Sequence, residues 1–169
     1  MDTNIILSVI GPDKFGIVSD ISGIIKKHSG NIDKSRMTKL GNFFTIMMLI
    51  NINSSNIKKL NSDLQNYSNY QISIHELKKE KNDNPENIYT INLNGLDNEG
   101  LVYEITNQLA LLNINIEELK TNLENAPMSG VGVFSLTAKI SYTESNNNLL
   151  KEKMNILANE LDVNITIED

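Results

Sequence analysis

Cysteine is absent from the 169-residue chain, and no long apolar segment is present. Without cysteine there can be no disulfide, no thiolate nucleophile and no thiolate metal site, which fits the reducing cytoplasm where we expect this protein. The N-terminus lacks the basic and then apolar pattern of a secretory signal, and no apolar run approaches the ~20 residues that cross a bilayer. We therefore expect no membrane partner.

Basic residues are also in short supply. The chain has 15 lysines and arginines against 21 aspartates and glutamates, which gives a net charge of −6. An acidic chain repels phosphate backbones, so we expect no direct binding to nucleic acid. The lysines of segment 77–87 are interspersed with Glu80, Asp83 and Glu86, and this mixed charge indicates a solvated linker rather than a basic patch.

Groups that could carry catalysis or hold a metal ion do not occur together. His28 lies on the apolar stripe of a predicted helix, His75 lies near a strand end, and no third residue completes a triad or a metal set. Glu117-Glu118 occupy successive strand positions and would point to opposite faces. The Met47-Met48 pair is interpreted as core packing. We expect no enzyme activity, no metal and no cofactor.

What the chain does contain is an internal repeat. The segment GPDKFG, which begins at Gly11, matches GLDNEG, which begins at Gly95, at an offset of 84 residues. The same offset places Asn31-Ile32 on Asn115-Ile116. A shared register over about twenty residues indicates two copies of one unit.

Hydrophobic periodicity gives both copies the order β-α-β-β-α-β. The first copy has predicted strands over 5–10, 31–40, 42–50 and 70–75, a helix over 17–28 that ends near Gly30, and a second helix that Ser54-Ser55 can cap. The second has strands over 88–94, 114–123, 131–141 and 163–167, and helices over 101–112 and 147–160. Segment 124–130 is an inserted loop of the second copy.

Right-handed crossovers fold such a unit into a four-stranded antiparallel sheet with two helices on one face, the ferredoxin-like arrangement. The predicted fold class is therefore α+β, with domains over 1–76 and 88–169 joined by the linker 77–87. The unpaired sheet edges make a homodimer one expected arrangement.

A βαββαβ unit with Gly11-Pro12-Asp13 and Gly16-Ile17-Val18 at its first strand–helix junction, followed by Asn31-Ile32, resembles the ACT domain, a small amino-acid-sensing regulatory module. Two tandem units resemble the glycine cleavage system transcriptional repressor family, and the second unit carries matching residues at Ala126, Pro127, Ser129, Gly130 and Phe134. Lys14-Phe15 departs from the Arg-Pro common in the family. The second turn departs further, with Leu96 for proline and Asn98-Glu99 for the basic–proline pair.

The resemblance implies a non-enzymatic regulator that binds a small amino acid, glycine by likeness, at ACT–ACT junctions. Its output would be control of transcription through a protein partner such as a transcriptional activator. An alternative is an ACT-fold interaction module without ligand binding, for which the altered second turn argues. An enzyme is the third hypothesis, because a formyl-folate hydrolase also carries a Gly-Pro-Asp turn in an N-terminal ACT unit, but its catalytic domain has no counterpart in this sequence.

The turn itself suggests how a ligand would be held. A helix N-terminus exposes N–H groups and favours a carboxylate, and Lys14 would add positive charge. The amide of Asn31, expected on the adjacent strand, could complete a cradle for a zwitterion. The candidate ligand-binding residues are Gly11, Asp13, Lys14, Phe15, Gly16, Ile17, Asn31 and Ile32 in the first copy, and Asp97, Asn98, Glu99, Gly100, Leu101, Asn115 and Ile116 in the second.

A simpler interpretation stays open beside the cradle. Gly-Pro-Asp is a common turn, and Asp13 could serve only to cap the following helix. Asn31 could likewise serve only to tie its strand to a neighbouring loop. In the second copy, Glu99 would stabilise its helix but compete with a bound carboxylate.

Overall fold

The computed structural model describes residues 1–77, 88–127, 129–141 and 147–168. The chain divides into two compact units, Met1–Asn82 and Asp83–Asp169. Residues 78–87 of the predicted linker lie outside the described residues, so the predicted domain boundaries stay predictions.

The first unit has four strands and two helices: β1 (Asp2–Pro12), α1 (Ile17–Lys27), β2 (Asn31–Leu40), β3 (Phe43–Asn53), α2 (Ile57–Leu64) and β4 (Gln71–Glu76). The second unit repeats this order: β5 (Ile88–Leu96), α3 (Leu101–Leu111), β6 (Asn115–Asn125), β7 (Gly132–Ser141), α4 (Asn147–Leu161) and β8 (Val163–Glu168). Within the described ranges, none of these helices is both long and apolar enough to span a bilayer.

Each unit forms one four-stranded sheet, with strand orders β2-β3-β1-β4 and β6-β7-β5-β8. All neighbouring strands pair antiparallel. This confirms the predicted α+β fold of two tandem βαββαβ units. β1 is longer than its apolar run predicted because its pairing with β3 continues from Asp2–Asn53 at one end to Pro12–Phe43 at the other.

Each sheet buries the face that its own helices cover. In the first unit the core alternates along the strands, with Ile5, Leu7 and Val9 on β1 and Ile46, Met48, Ile50 and Ile52 on β3. Met47 points to the other face and is 49% exposed. The interpretation of Met47-Met48 as a core pair is therefore wrong for Met47, because successive strand residues lie on opposite faces.

The helix ends differ in detail from the sequence-based expectation. Ser29, not Gly30, takes the left-handed conformation after α1, with φ 58°. The N–H groups of Ser29 and Gly30 donate to the carbonyls of Lys26 and Ile25, which is the Schellman pattern. Gly30 is instead needed because a Cβ there would lie 2.8 Å from Ile25 Cγ2. Before α2, the cap is the side chain of Asn53, whose oxygen accepts a hydrogen bond from the N–H of Ser55 at 3.1 Å.

Candidate functional site

The turn between β1 and α1 is built on a left-handed glycine. Gly16 precedes the helix with φ 84°, and Gly100 holds the equivalent place before α3 with φ 88°. This conformation favours glycine because it lacks a Cβ. At neither glycine would an added Cβ meet another heavy atom within 4 Å. Both helix N-termini are therefore open on the side of the glycine.

Asp13 is not the cap of α1, which has no side-chain cap. Its carboxylate accepts a hydrogen bond from Lys39 Nζ at 2.6 Å, and its N–H donates to the carbonyl of Asn42 at 2.9 Å. Asp13 therefore fastens the turn to the β2–β3 hairpin, and neither the cradle nor the simpler interpretation anticipated this role.

The isoleucine and leucine candidates offer a ligand mainly their backbone. Ile17 and Leu101 are buried in the cores of the two units, and Ile32 and Ile116 are partly buried against the same cores. Lys14 and Phe15 are exposed, and Phe15 makes the apolar tip of the first turn.

The structure does not bring Asn31 to the first turn. Asn31 pairs with Asn51, which pairs with Asn4 near the start of β1, whereas the turn follows Pro12 at the other end of that strand. At about 3.3 Å per residue, the two positions are roughly 26 Å apart along the sheet. The expectation that one unit forms a cradle from its turn and its own Asn31 is wrong. The physical reason is that β2 runs parallel to β1. It therefore begins at the end of the sheet where β1 also begins, whereas the turn lies at the other end.

The first residues of β2 and β6 are asparagines, and each already donates a hydrogen bond to a carboxylate of its own strand. The Asn31 side-chain amide donates to Asp33 Oδ1 at 2.8 Å, and that of Asn115 donates to Glu117 Oε1 at 2.6 Å. Glu117 also accepts from Ser141 Oγ at 2.6 Å. The hydrogen bond from Ser141, and then the one from Asn115, lower the pKa of Glu117. Asn115 therefore lies beside an ionised carboxylate.

The second turn is more acidic than the first. Asp97, Asn98 and Glu99 are all exposed, and the backbone N–H of Asp97 donates to the carbonyl of Gly132 at 3.2 Å. The backbone of the first turn is thus reproduced, but Asn98 stands where the first turn has Lys14. Two carboxylates and no lysine in the turn make it a poorer site for an anionic group.

The sequence did not point to the loop that borders the first turn. A cleft of about 500 Å³ is lined by Pro12, Asp13 and Lys14 on one side and by residues 66–70 on the other. The Tyr70 hydroxyl donates to the carbonyl of Pro12 at 2.9 Å. The Tyr70 ring occupies the space that a side chain at Gly11 would need, since a Cβ there would lie 2.3 Å from the ring.

Tyr67 forms the inner wall of the cleft. Its ring packs edge-on against Tyr70, with centroids 6.1 Å apart. Burial, and then the carboxylate of Asp20, raise the pKa of Tyr67. The phenol is therefore neutral at physiological pH. Two tyrosines three residues apart after α2 are the feature that could have indicated this wall.

The second unit has no such loop among the residues that the structure describes. Asp162, left-handed with φ 52°, is the single residue between α4 and β8. Val163 then occupies the space beside Gly95, where a Cβ would lie 2.5 Å from it. Among the described residues, the repeat therefore reproduces the turn but not the loop that borders the cleft.

The potential metal ligands of the described residues are not clustered. In the ranges given above, no three histidine, aspartate or glutamate side chains are grouped so that they could hold a metal ion.

Comparison with known proteins links the first unit to a family. A profile of the ACT domain matches residues 3–74. A UPF0237 protein of Methanococcus maripaludis is 36% identical over 64 residues, covering 37% of this chain and 71% of that protein. A UPF0237 protein of Methanopyrus kandleri is 34% identical over 65 residues, covering 37% and 72%.

Solved structures also match nearly the whole chain. A protein of unknown function from Galdieria sulphuraria superposes with a TM-score of 0.90 at 28% identity, covering 99% of this chain and 98% of that one. A candidate glycine cleavage system transcriptional repressor superposes with a TM-score of 0.69 at 20% identity, covering 99% and 97%. The second likeness shows the tandem fold alone.

Proposed function

Because the chain belongs to the ACT-domain family, we propose that it is a non-enzymatic regulator that binds a small amino acid at the β1–α1 turn of its first unit. The observation that carries the proposal is the open, left-handed Gly16 at the start of α1, with Lys14 beside it and the cleft of about 500 Å³ next to it. Glycine is the amino acid that we favour.

The two ends of an amino acid suit different parts of this site. The carboxylate would lie against the N–H groups at the start of α1, with Lys14 adding positive charge. Asp13 lines the cleft, and its carboxylate, which accepts from Lys39 through Oδ2, has a second oxygen that could accept from an ammonium group. A side-chain amide like that of Asn31 could contact the ligand only if it came from a neighbouring ACT unit. We therefore favour a junction of two units as the complete site.

The proposed output is control of transcription through a protein partner in the cytoplasm. It rests on the likeness to the repressor family and on the net charge of −6, which favours a protein partner over nucleic acid. A ligand that changes the affinity for the partner must itself bind the complex and the free protein with different affinity. Partner binding that is equally strong with and without every amino acid would contradict this part.

Thermal unfolding with each amino acid in turn tests the ligand site. A ligand at 100 times its dissociation constant stabilises the fold by roughly 2.7 kcal/mol, which is a measurable shift in midpoint. We expect glycine to raise the midpoint and Lys14→Ala to weaken its binding. Asn98→Ala, at the equivalent place of the second turn, is the matched control and should leave the shift unchanged.

The alternative function is an ACT-fold interaction module that binds no amino acid. The second unit favours it, because its turn carries Asp97 and Glu99 and lacks the tyrosine loop among the described residues. No midpoint shift with any amino acid, together with a stable partner complex, would favour this function over the first.

A further inference from the structure

The face of the first sheet that points away from its helices is apolar at its centre. Partners that lie directly opposite in an antiparallel pair share a face, and this face carries the pairs Ile6–Leu49, Ser8–Met47, Ile10–Thr45 and Pro12–Phe43. Ile10 is 40% exposed, Met47 49% and Phe43 56%. We call this surface, with Leu40 at its end, the open face of the first unit.

The fold itself does not require this apolar surface, as the second unit shows. Its helix-covered face keeps apolar residues at the same register, for example Ile91 for Leu7 and Leu136 for Ile46. Its open face is apolar at its ends, where Ile88, Leu96 and Val133 are exposed, but its centre is polar. Thr90, Asn94, Thr137 and Lys139 stand at the positions of Ile6, Ile10, Met47 and Leu49. Exposed apolar patches of this kind mark interaction surfaces.

We propose that the open face of the first unit is a dimer interface, in which it packs against the same face of a second copy of this chain. This proposal is independent of the ligand site. A two-fold axis parallel to the strands, lying between the two faces, places β3 of each copy over β1 of the other. It also places the β2 margin of each copy over the β4 margin of the other, because the strand order is β2-β3-β1-β4.

The face is complementary to itself under this symmetry. β3 carries the large side chains, and Met47 lies directly beside the small Ser8 of β1. Met47 of one copy would therefore fill the depression over Ser8 of the other. Lys34 and Arg36 are on the β2 margin of the same face. In the dimer they would lie over the β4 residues of the other copy, which are Gln71, Ser73 and His75, and not over its Lys34 and Arg36. Like charges are thus kept apart.

The area is sufficient for a specific but weak dimer. Four strands at about 4.8 Å spacing and seven residues at about 3.3 Å give a face of roughly 19 by 23 Å. Two such faces would remove on the order of 1,000 Å² of accessible surface, the lower limit for specific interfaces. We therefore expect dimers whose population depends on protein concentration.

Sedimentation of the full chain over about 1 to 500 µM tests the proposal, since this range covers the micromolar dissociation constants of weak dimers. The wild type should approach twice the mass of one chain as the concentration rises. Met47→Lys should stay at the mass of one chain, because it places a charge in the centre of the interface. Thr137→Lys is the matched control at the same register of the second unit, and it should dimerise like the wild type.

A second measurement does not depend on the lysine variant folding. The chain has no cysteine, so Met47→Cys offers a single thiol. Facing sheets lie about 10 Å apart, which suits a short bis-maleimide linker. We expect linked dimers from Met47→Cys and none from Thr137→Cys. A wild type with the mass of one chain throughout, or equal linking of the two cysteine variants, would overturn the proposal, and the open face would then belong to a different partner.

Discussion

At the scale of the residue, the two glycines of the first turn are needed for different physical reasons. Gly16 is needed for its backbone conformation, with φ 84°. Gly11 is needed for space, because the Tyr70 ring lies where its Cβ would be. The sequence could show that both positions recur in the second copy. It could not show the second reason, because Tyr70 lies 59 residues further along the chain.

Gly11→Ala should therefore destabilise the first unit. The added Cβ would lie 2.3 Å from the ring of Tyr70, which is itself held by its hydrogen bond to Pro12. Overpacking of this kind costs about 1–3 kcal/mol of unfolding free energy. Urea denaturation measures the cost. Gly23→Ala is the control: it lies inside α1 with no heavy atom within 4 Å of the new Cβ, and should stabilise by about 0.5–1 kcal/mol.

Combining Gly11→Ala with Tyr70→Ala tests the cause of the loss. If Gly11→Ala/Tyr70→Ala is no less stable than Tyr70→Ala alone, the clash with the ring is the source of the loss. A full additive loss in the double variant would contradict this account of Gly11.

At the scale of the element, the types of helices and strands were predictable, and their ends and orientations were less so. Hydrophobic periodicity found each strand and α-helix that the structure describes in both units. The ends of β1 and β3 depend on the pairing partner, which continues beyond the apolar residues to Asp2 and Asn53. The position of Asn31 depends on topology and not on local sequence: the right-handed crossover makes β2 parallel to β1, so β2 begins at the end of the sheet opposite to the turn.

The two helices of the first unit are joined by one carboxylate. Asp63 of α2 accepts from Lys27 Nζ at 2.7 Å and lies 2.9 Å from His28 Nε2, with both neighbours at the end of α1. The hydrogen bond from Lys27, and then that from His28, lower the pKa of Asp63. The carboxylate is therefore ionised in the folded state over a wider pH range than in the unfolded chain.

Asp63→Asn should reduce stability at neutral pH, and the difference from the wild type should disappear in acid. A lowered folded pKa contributes stability above the unfolded value, about 3.9, and this contribution is lost as the pH falls through the folded pKa. Urea denaturation from pH 7 downward checks the trend. Glu160→Gln, on the exposed side of α4, should show no such trend, and a loss for Asp63→Asn that persists unchanged in acid would contradict the ionic explanation.

At the scale of the whole molecule, duplication explains which features the two units share and which they do not. The turns, the Schellman helix ends and the helix-covered faces recur, because every copy of the fold needs them. The tyrosine loop and the apolar centre of the open face belong to the first unit, among the residues that the structure describes. The proposed ligand site therefore combines a turn that both units share with Lys14 and a cleft that are specific to the first unit, and the proposed interface lies on a surface that has diverged.

The two cores are built separately, and this leads to a prediction for the full chain. One core is made only of residues from the first unit and the other only of residues from the second. Leu7→Ala and Ile91→Ala remove fully buried side chains at the same register, at a cost of about 2–5 kcal/mol each. Hydrogen exchange read by peptide should show lost protection in the first unit for Leu7→Ala and in the second for Ile91→Ala. This result is expected if each core unfolds on its own. Loss of protection in both units from either substitution would show instead that the chain folds as one cooperative body.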